Sequence, residues 1–376
     1  MITDLTKFIR TTTDSLNLPS GKNNKTFRLP GNNFLRRSDI ADPVNPEFLQ
    51  AEIDSLPEGC LLLRKNNLVV YCSNSARIPN ILREIGRLRE ITFRAVGEGS
   101  NKSLDTDRFD IYYYHLFIWD RSARQICGAY RIGHGKEIMS EFGHKGFYIS
   151  SLFRIKDGFE DILCKSAELG RSFIIKEYQK QHFTLLLLWK GVFLFLKSNP
   201  DIRYIIGPVS ISQNCSQRSK SLIVDYISKY HYDPQLALSV KPRKQFIVPG
   251  QMQRENEMIL ENTGNDIRSL EKKLATLQPG FEMPVLLKKY MGLNGKIIGF
   301  NIDVNFNNCL DALMIVDMKD LPYEMRIQLS KDTGEIPSVL TPLFTDQAYY
   351  NNHNIGKASI QNGVVPASDY ICAFNL

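Results

Sequence analysis

Residues 113–132 read YYHLFIWDRSARQICGAYRI. Two runs rich in aromatic and β-branched residues, 113–119 and 125–132, flank the polar turn Asp120-Arg121-Ser122. Runs of this kind on either side of a short polar turn are typical of a β-hairpin. The stretch therefore predicts two strands that pair with each other.

The segments on either side of the hairpin predict the rest of the sheet. Residues 75–96 place apolar side chains at helical spacing, and Gly97 and Gly99 supply a stop. After the hairpin we predict strands at 147–155, 169–175 and 203–211, a short helix at 159–167, a long helix through Trp189, helical structure at 254–277, and a helix with two strands within 284–318. This order predicts an α/β (α+β) fold, with a mixed central sheet, antiparallel in its N-terminal half, flanked by helices.

The chain divides into four predicted segments. Residues 1–45 are polar and interrupted by Pro19, Pro30 and Pro43, which predicts a loosely structured arm. Residues 46–240 form the predicted core, and 241–329 a C-terminal extension packed on it. The tail, 330–376, is rich in Asn, Thr, Pro and Ser, and we assign it no role.

The composition is that of a soluble globular protein with an acidic partner. The 376 residues are 43% hydrophobic and 23% charged, and the net charge is +7. A basic protein binds nucleic acid, an anionic membrane surface or an acidic protein. No run of five basic residues and no basic motif interleaved with aromatic residues occurs, which argues against nucleic acid.

Cysteine usage and hydropathy predict where the protein resides. Seven widely spaced cysteines without a C-x-x-C pair predict a reduced, cytoplasmic protein, and the first 18 residues lack the features of a signal peptide. The longest apolar run, 183–196 (FTLLLLWKGVFLFL), is too short to span a bilayer. We interpret it as a core helix, with peripheral binding to the inner membrane as the alternative.

Three carboxylates stand close together just before the hairpin, at Asp105, Asp107 and Asp110. Like charges at this spacing repel unless a cation lies among them, so one interpretation is capture of a substrate ammonium group. The other is a solvated loop in which an aspartate caps a turn.

Two further charged sites lie on predicted strands. Glu168 and Arg171 bracket a glycine and could act as a base and an anion clamp, or simply form an ion pair. Arg131 could hold a carboxylate bidentately, or be an ordinary charge at a strand end.

Other motifs fail on geometry. His115 and Asp120 have the spacing of a glycerolipid O-acyltransferase motif, but in a strand they would point to opposite faces. Residues 97–103 (GEGSNKS) resemble a P-loop but have Asn101 where glycine must precede the lysine, so no nucleotide site is predicted. The six histidines show no metal-ligand spacing, so we predict no metal.

In order along the chain, these residues resemble the signature of acyl-homoserine-lactone synthases and of the ornithine-lipid and glycine-lipid N-acyltransferases once called hemolysins. The matching positions are Arg94, Asp105, Asp107, Asp110, Arg131, Glu168 and Arg171. Similarity to the lipid branch continues through 188–191 (LWKG), 207–210 (GPVS), 284–287 (PVLL), 299–303 (GFNID) and Asp311, and spans about 84–321.

The resemblance implies a GNAT-like fold and an N-acyltransferase of bacterial aminolipid synthesis. A long fatty acyl chain, with or without a 3-hydroxyl group, would pass from the phosphopantetheine of acyl carrier protein to the α-amine of an amino acid, with glycine and ornithine as leading acceptors. No other cofactor is implied, since 178–181 (YQKQ) stands where relatives that use coenzyme A carry a pyrophosphate loop. Acyl carrier protein is acidic and suits the basic chain. Some relatives are fused to an O-acyltransferase domain, which implies a separate O-acyltransferase partner here.

We therefore assign roles as hypotheses. Glu168 would act as the general base and Asp105, Asp107 and Asp110 would place the acceptor ammonium. Arg131 or Arg171 would bind the acceptor carboxylate, Arg94 belongs to the substrate-binding set, and backbone N–H groups near Ser151 and Phe153 would stabilise the oxyanion. Two alternatives remain, an autoinducer synthase that uses S-adenosylmethionine as acceptor, and a non-enzymatic, membrane-active protein.

Overall fold

The computed structural model describes residues 38–323 and Met325. Ten strands occur in this part of the chain: β1 Leu61–Lys65, β2 Leu68–Asn74, β3 Tyr114–Asp120, β4 Gln125–His134, β5 Phe153–Ile155, β6 Ser166–Ile174, β7 Tyr204–Ile211, β8 Val240–Pro242, β9 Lys296–Asp303 and β10 Cys309–Asp317. Eight of them form one sheet in the order β1-β2-β3-β4-β6-β7-β10-β9, and β5 pairs separately with β8. Every pairing is antiparallel except that of β6 with β7.

Helices cover both faces of the large sheet. In chain order they are α1 Pro46–Ser55, α2 Pro79–Ala95, α3 Gly135–Phe142, α4 Ile149–Leu152, α5 Glu160–Cys164, α6 Lys176–Gln179, α7 His182–Ser198, α8 Gln217–Tyr230, α9 Pro234–Ala237, α10 Gly250–Thr263, α11 Ile267–Leu277 and α12 Val285–Gly292. The predicted mixed sheet flanked by helices is confirmed.

Sequence periodicity located the strongest elements correctly. The predicted hairpin is β3 and β4, in which Leu116 faces Tyr130 across the ladder. The predicted first helix is α2, which begins at Pro79, where a missing N–H costs nothing, and buries Ile81 and Ile85. The predicted helix and two strands near the C-terminus are α12, β9 and β10.

The strand predicted at 147–155 is wrong. Only Phe153–Ile155 is extended, and it belongs to the small sheet, whereas Ile149–Leu152 forms one helical turn. A short apolar run cannot by itself distinguish a strand from a buried helical segment. The helical turn and the short strand change the environment of Ser151 and Phe153.

The predicted C-terminal extension, 241–329, contributes two strands to the large sheet. β10 pairs with β7 over eight residue pairs, from Leu310↔Ile211 to Asp317↔Tyr204, and β9 then forms the edge. Residues 1–37 of the predicted arm and the predicted tail, 330–376, lie outside the described residues.

The central strands β6 and β7 separate soon after they meet. They pair only at Ser166↔Tyr204, Ala167↔Ile205 and Glu168↔Ile206, although both strands continue. Gly207 stands at the point of separation, where an added Cβ would lie 2.1 Å from the carbonyl oxygen of Leu169. Beyond Glu168 the two strands therefore leave a gap in the middle of the sheet.

A β-bulge deforms β6 beside this gap. Ala129 pairs with Phe173 and Arg131 with Gly170, so β6 has one residue more than β4 over this interval. Arg171 occupies the bulge with φ of 52°, in the left-handed region that non-glycine residues seldom adopt. The bulge redirects the Arg171 side chain next to the gap.

The apolar run 183–196 lies in α7, which packs on the sheet. Leu188, Val192 and Leu196 are buried, so the predicted core helix is confirmed. Within the residues that the structure describes, no helix has the length and hydropathy of a bilayer-spanning segment.

Candidate active site

A cavity of about 480 Å³ occupies the gap between β6 and β7. Glu168 and Leu169 both line it, and consecutive strand residues point to opposite faces of a sheet, so the cavity is reached from both faces. On one face the lining is polar, with Glu98, Arg131, Tyr148, Glu168, Arg171, Ser210, Asp303 and Asp311. On the other it is mostly apolar, with Leu185, Leu186, Trp189, Val285, Leu286 and Tyr290.

Glu168 is the central group of the polar face. Its carboxylate is 1% exposed and accepts hydrogen bonds from the hydroxyl of Tyr113, from the N–H of Tyr148 at 2.9 Å and from the N–H of Ile149 at 2.8 Å. Burial raises the pKa of Glu168, and the three hydrogen bonds oppose that rise by favouring the ionised form. Such an environment suits a carboxylate that accepts a proton during a reaction.

Asp105, Asp107 and Asp110 lie together, as predicted, but their cations are arginines of the same chain. Asp110 Oδ1 is 2.7 Å from Arg89 Nη1 and 3.2 Å from Arg131 Nη1. Asp107 Oδ1 accepts from Arg131 Nη1 at 2.6 Å, and Asp105 Oδ2 is 3.1 Å from Arg171 Nε. None of the three aspartates lines the cavity.

This cluster does not provide the ammonium site that the sequence suggested. Three guanidinium groups lie against three carboxylates. Asp110 is held ionised, because Arg89 and Arg131 keep its pKa well below its usual range, whereas burial raises the pKa of Asp105 although Arg171 lies beside it. Asp107 also caps the turn at Arg108–Ile111 by accepting from Phe109 N–H at 2.9 Å. The cluster holds Arg131 and Arg171 in place against the cavity.

Arg131 and Arg171 differ in how much of each guanidinium remains available. Arg131 is fully buried, and its Nη1 is shared by two aspartates. Arg171 lines the cavity, and its guanidinium carbon lies 4.9 Å from the centre of the Tyr148 ring and 4.6 Å from that of Phe306. Both arginines line the cavity, but the Arg171 side chain is 13% exposed and that of Arg131 only 2%, so Arg171 is the more accessible cation.

Arg94 lies outside the cavity lining. Its Nε contacts Glu90 Oε1 at 2.6 Å, and its Nη1 donates to the carbonyl of Ser38 at 2.8 Å. The side chain fastens the loop that follows α2, so the structure gives it a supporting position and no contact with the cavity.

The predicted oxyanion donors are also placed elsewhere. The N–H groups of Ser150, Ser151 and Phe153 donate to the carbonyls of Phe147, Tyr148 and Ile149. Neither Ser151 nor Phe153 lines the cavity. The prediction fails because this segment is a helical turn whose amides are already paired, whereas a strand edge would have left them free.

A second acidic group, to which no chemical role was assigned from the sequence, lines the polar face. Asp303 ends β9, Asp311 lies in β10, and Glu98 follows α2, so the three are far apart in sequence. Asp311 accepts from Ser210 Oγ at 2.8 Å, and Asp303 Oδ2 accepts from Tyr148 Oη at 3.1 Å. Among the described residues no group of His, Cys, Asp and Glu is arranged to hold a metal ion.

Part of this chain matches a described protein domain, and most of it is similar to two named proteins. A family model described as an acetyltransferase (GNAT) domain matches residues 88–190, which include the second half of α2 and all of β3, β4 and β6. A glycine N(alpha)-acyltransferase of Bacteroides thetaiotaomicron is 29% identical over 304 residues, covering 77% of this chain and 89% of that protein. A protein of the same name from Phocaeicola vulgatus is 27% identical, covering 77% of this chain and 92% of its own length.

Two of the solved structures that match part of this chain are acyl-homoserine-lactone synthases. The acyl-homoserine-lactone synthase LasI matches 38% of this chain and 72% of its own, with 18% identity and a TM-score of 0.29. The CoA-dependent synthase BjaI matches 72% of this chain and 92% of its own, with 12% identity and a TM-score of 0.34. Scores this low do not establish a shared geometry of the site.

The matched domain includes β6, one of the two strands that part around the cavity, and the relatives cover most of the chain. Residues 88–190 are therefore similar to a GNAT acetyltransferase domain, and the chain is an acyltransferase.

Proposed function

We propose that this protein is an N-acyltransferase that moves a long fatty acyl chain from the phosphopantetheine thioester of acyl carrier protein to the α-amine of an amino acid. The observation that carries the proposal is one cavity through the sheet, with a buried glutamate on its polar face and apolar side chains on the other. The names of the two relatives support glycine as acceptor. Ornithine is the second candidate.

The apolar face is suited to the acyl chain. Leu185, Leu186 and Trp189 of α7 stand opposite Val285 and Leu286 of α12 along the cavity. Each methylene removed from water contributes about 0.8 kcal/mol, so a long chain gains much more there than an acetyl group does. This property separates a fatty acyltransferase from an acetyltransferase of the same fold.

One unpaired N–H group on this face suits the polar part of the acyl-donor substrate. Trp189 Nε1 is buried, lines the cavity and has no hydrogen-bond partner within the described part of the chain. A buried N–H group without a partner costs free energy, so it favours a ligand that brings an acceptor. The amide carbonyls of a phosphopantetheine arm would meet that need.

The polar face is suited to amine activation. A carboxylate has about four acceptor positions, and three hydrogen bonds leave Glu168 one for the substrate. Glu168, directly or through water, takes a proton from the acceptor ammonium, and the free amine attacks the thioester carbonyl carbon. The C–N bond forms and the C–S bond breaks. The attacking nitrogen loses its second proton to the departing thiolate, which leaves an amide and a free thiol, and the first proton passes from Glu168 to solvent.

The oxyanion of that step needs donors other than those at 150–153. Beyond Glu168 the edge of β6 that faces β7 has no partner strand among the described residues, so its backbone N–H groups are available next to the cavity. Arg171, which lines the cavity, would bind the acceptor carboxylate.

The net charge of +7 suits an acidic carrier protein and, secondarily, an anionic membrane surface. A separate O-acyltransferase would act on a hydroxyl group of the product. We propose the carrier protein, the membrane surface and the O-acyltransferase as partners of this protein.

The test is a reconstitution with purified components. The protein would be incubated with palmitoyl or 3-hydroxypalmitoyl carrier protein, or with palmitoyl-coenzyme A, and with glycine, ornithine, lysine, glutamine or S-adenosylmethionine, and products would be identified by mass spectrometry. We expect an N-acyl amino acid, formed faster from carrier protein than from coenzyme A. Absence of any N-acyl product, or a lactone from S-adenosylmethionine alone, would overturn the proposal.

A further inference from the structure

Two groups of acidic residues lie at or behind the polar face of the cavity, and they differ in whether cations of the chain pair with them. The first, Asp105, Asp107 and Asp110, is matched by three arginines and lies behind the cavity wall. In the second, Asp303 and Asp311 line the cavity, and no arginine, lysine or histidine of the described residues forms an ion pair with either of them. Of these two groups, Asp303 and Asp311, which line the open cavity, are the ones that lack a paired cation among the described residues.

Asp311 is buried, yet one of its oxygens is unused. The residue is 2% exposed, and its Oδ1 accepts from Ser210 Oγ at 2.8 Å. No hydrogen bond from the residues that the structure describes reaches its Oδ2, although Asp311 lines the cavity. Oδ2 is therefore left open to a ligand in the cavity that can donate a hydrogen bond.

The surroundings of Asp311 favour a cation in particular. Burial together with the like charges of Asp303 and Glu98 raises the pKa of Asp311 to about 8. Glu98 is partly compensated by Arg171 and Lys220, and its pKa is still raised to about 7, mainly by burial. Cys309 and Tyr148, the other titratable groups here, stay neutral because burial raises their pKa values well above the usual range.

Tyr148 connects this acidic pair to the base. Its backbone N–H donates to Glu168 Oε2 at 2.9 Å, and its hydroxyl donates to Asp303 Oδ2 at 3.1 Å. A group bound at Asp303 and Asp311 therefore lies on the same face as Glu168, one tyrosine side chain away from it.

We infer that Asp311, together with Asp303, binds the ammonium group of the amino-acid acceptor, an inference that rests on the proposed N-acyltransferase function. The aspartates of β9 and β10 then perform the task that the sequence suggested for Asp105, Asp107 and Asp110. An ammonium group supplies both the hydrogen-bond donor and the positive charge that this part of the cavity lacks. Glu168 receives the proton of the bound ammonium through water, because Asp311 pairs with Ser210, which lies four residues along β7 from Ile206, the partner of Glu168.

The test compares Asp311→Asn and Asp303→Asn with the unsubstituted protein. With palmitoyl carrier protein saturating, we expect the KM for the acceptor to rise about 10- to 100-fold, as for loss of one charge-assisted hydrogen bond, while the KM for palmitoyl carrier protein stays unchanged. Calorimetric titration of the acceptor into the protein alone should show the same loss of affinity without any acyl transfer.

Asp317→Asn is the matched control, because Asp317 lies on the same strand but pairs with Arg203 outside the cavity lining. Circular dichroism and thermal unfolding confirm that each variant is folded, and either aspartate variant suffices if the other misfolds. An unchanged acceptor KM and affinity in the folded variants would overturn the inference. Absence of product from the unsubstituted protein would instead defeat the proposed function, so the two failures are distinguishable.

Discussion

The hydroxyl of Tyr113 donates a hydrogen bond to Glu168 Oε2, and both side chains are buried. The same oxygen accepts from the backbone N–H of Tyr148, and Oε1 accepts from that of Ile149. The carboxylate is therefore fixed in direction by three donors, while its desolvation keeps it basic. This arrangement gives the first two predictions.

Glu168→Gln should lower kcat by about 10²–10⁴-fold, because an amide cannot accept the ammonium proton. Its NH₂ group would also face a backbone donor, which should cost about 1–3 kcal/mol of stability. Steady-state kinetics and thermal unfolding measure the two effects. Glu141→Gln, an exposed glutamate outside the cavity lining, is the control. Turnover of Glu168→Gln near that of the control would reduce Glu168 to a structural residue.

Tyr113→Phe should move the acidic limb of the pH profile of kcat/KM to higher pH. The Tyr113 hydrogen bond lowers the pKa of Glu168, so its removal lets burial raise that pKa further. Tyr112→Phe is a close control, because the Tyr112 hydroxyl donates to the carbonyl of Gly146 at 2.8 Å and not to Glu168. An acidic limb that stays in place, or moves to lower pH, would contradict the assignment of Glu168 as the base.

Asp311→Asn should stabilise the ligand-free protein, and more so at pH 8 than at pH 5. In the folded state Asp311 keeps its proton up to a pKa of about 8, whereas in the unfolded chain a carboxyl ionises near pH 4. Between these two pKa values the folded state binds one more proton at Asp311 than the unfolded chain does. The contribution of Asp311 to the free energy of unfolding therefore falls as pH rises. Asparagine does not titrate, so the substitution removes this loss of stability. We expect a gain of roughly 2–4 °C in Tm at pH 8. A Tm difference that is equal at both pH values would show that Asp311 does not titrate in this window.

Gly207→Ala should destabilise the protein by about 1–3 kcal/mol, because the new Cβ would lie 2.1 Å from the Leu169 carbonyl oxygen. Either that carbonyl or β7 must then move where the strands separate. Gly170→Ala on β6 is the control, since nothing lies within 4 Å of its added Cβ. Thermal unfolding of the two variants compares them, and equal Tm values would mean that the close approach is easily relieved.

Leu186→Trp should shorten the preferred acyl chain. The larger side chain would fill part of the apolar face, so kcat/KM should fall by about tenfold or more for palmitoyl carrier protein and less for octanoyl carrier protein. Phe183→Trp, on the same helix but 42% exposed and outside the cavity lining, should leave the ratio of the two rates unchanged. An equal loss for both chain lengths would place the acyl chain elsewhere.

Local sequence patterns predicted the elements whose apolar residues recur at a regular spacing. The helical spacing of α2 and the polar turn between β3 and β4 each depend on neighbours a few residues apart. The hairpin of β1 and β2 could have been found in the same way, because it turns at Asn66, whose φ of 55° suits a tight turn. The segment 147–155 was misjudged because its apolar residues fit a strand and a helical turn equally well.

The site was predictable only to the extent that its residues form local motifs. Glu168 and Arg171 were found because they share one strand, and both line the cavity. Asp105, Asp107 and Asp110 were correctly expected to need a cation, but the sequence could not indicate that Arg89 would be buried against Asp110. Asp311 was given no chemical role from the sequence, because its importance arises from pairing with β7, about a hundred residues earlier, where Ser210 meets it.

The late position of β10 in the chain has a consequence for biosynthesis. A nascent chain that has emerged from the ribosome only as far as β7 contains Glu168 but neither Asp303 nor Asp311, and the edge of β7 is still unpaired. Such an edge is prone to wrong pairing until the final two strands dock. Translation therefore reaches the two aspartates that we infer to bind the amine after Glu168 and Arg171, so the half-made chain lacks that part of the site.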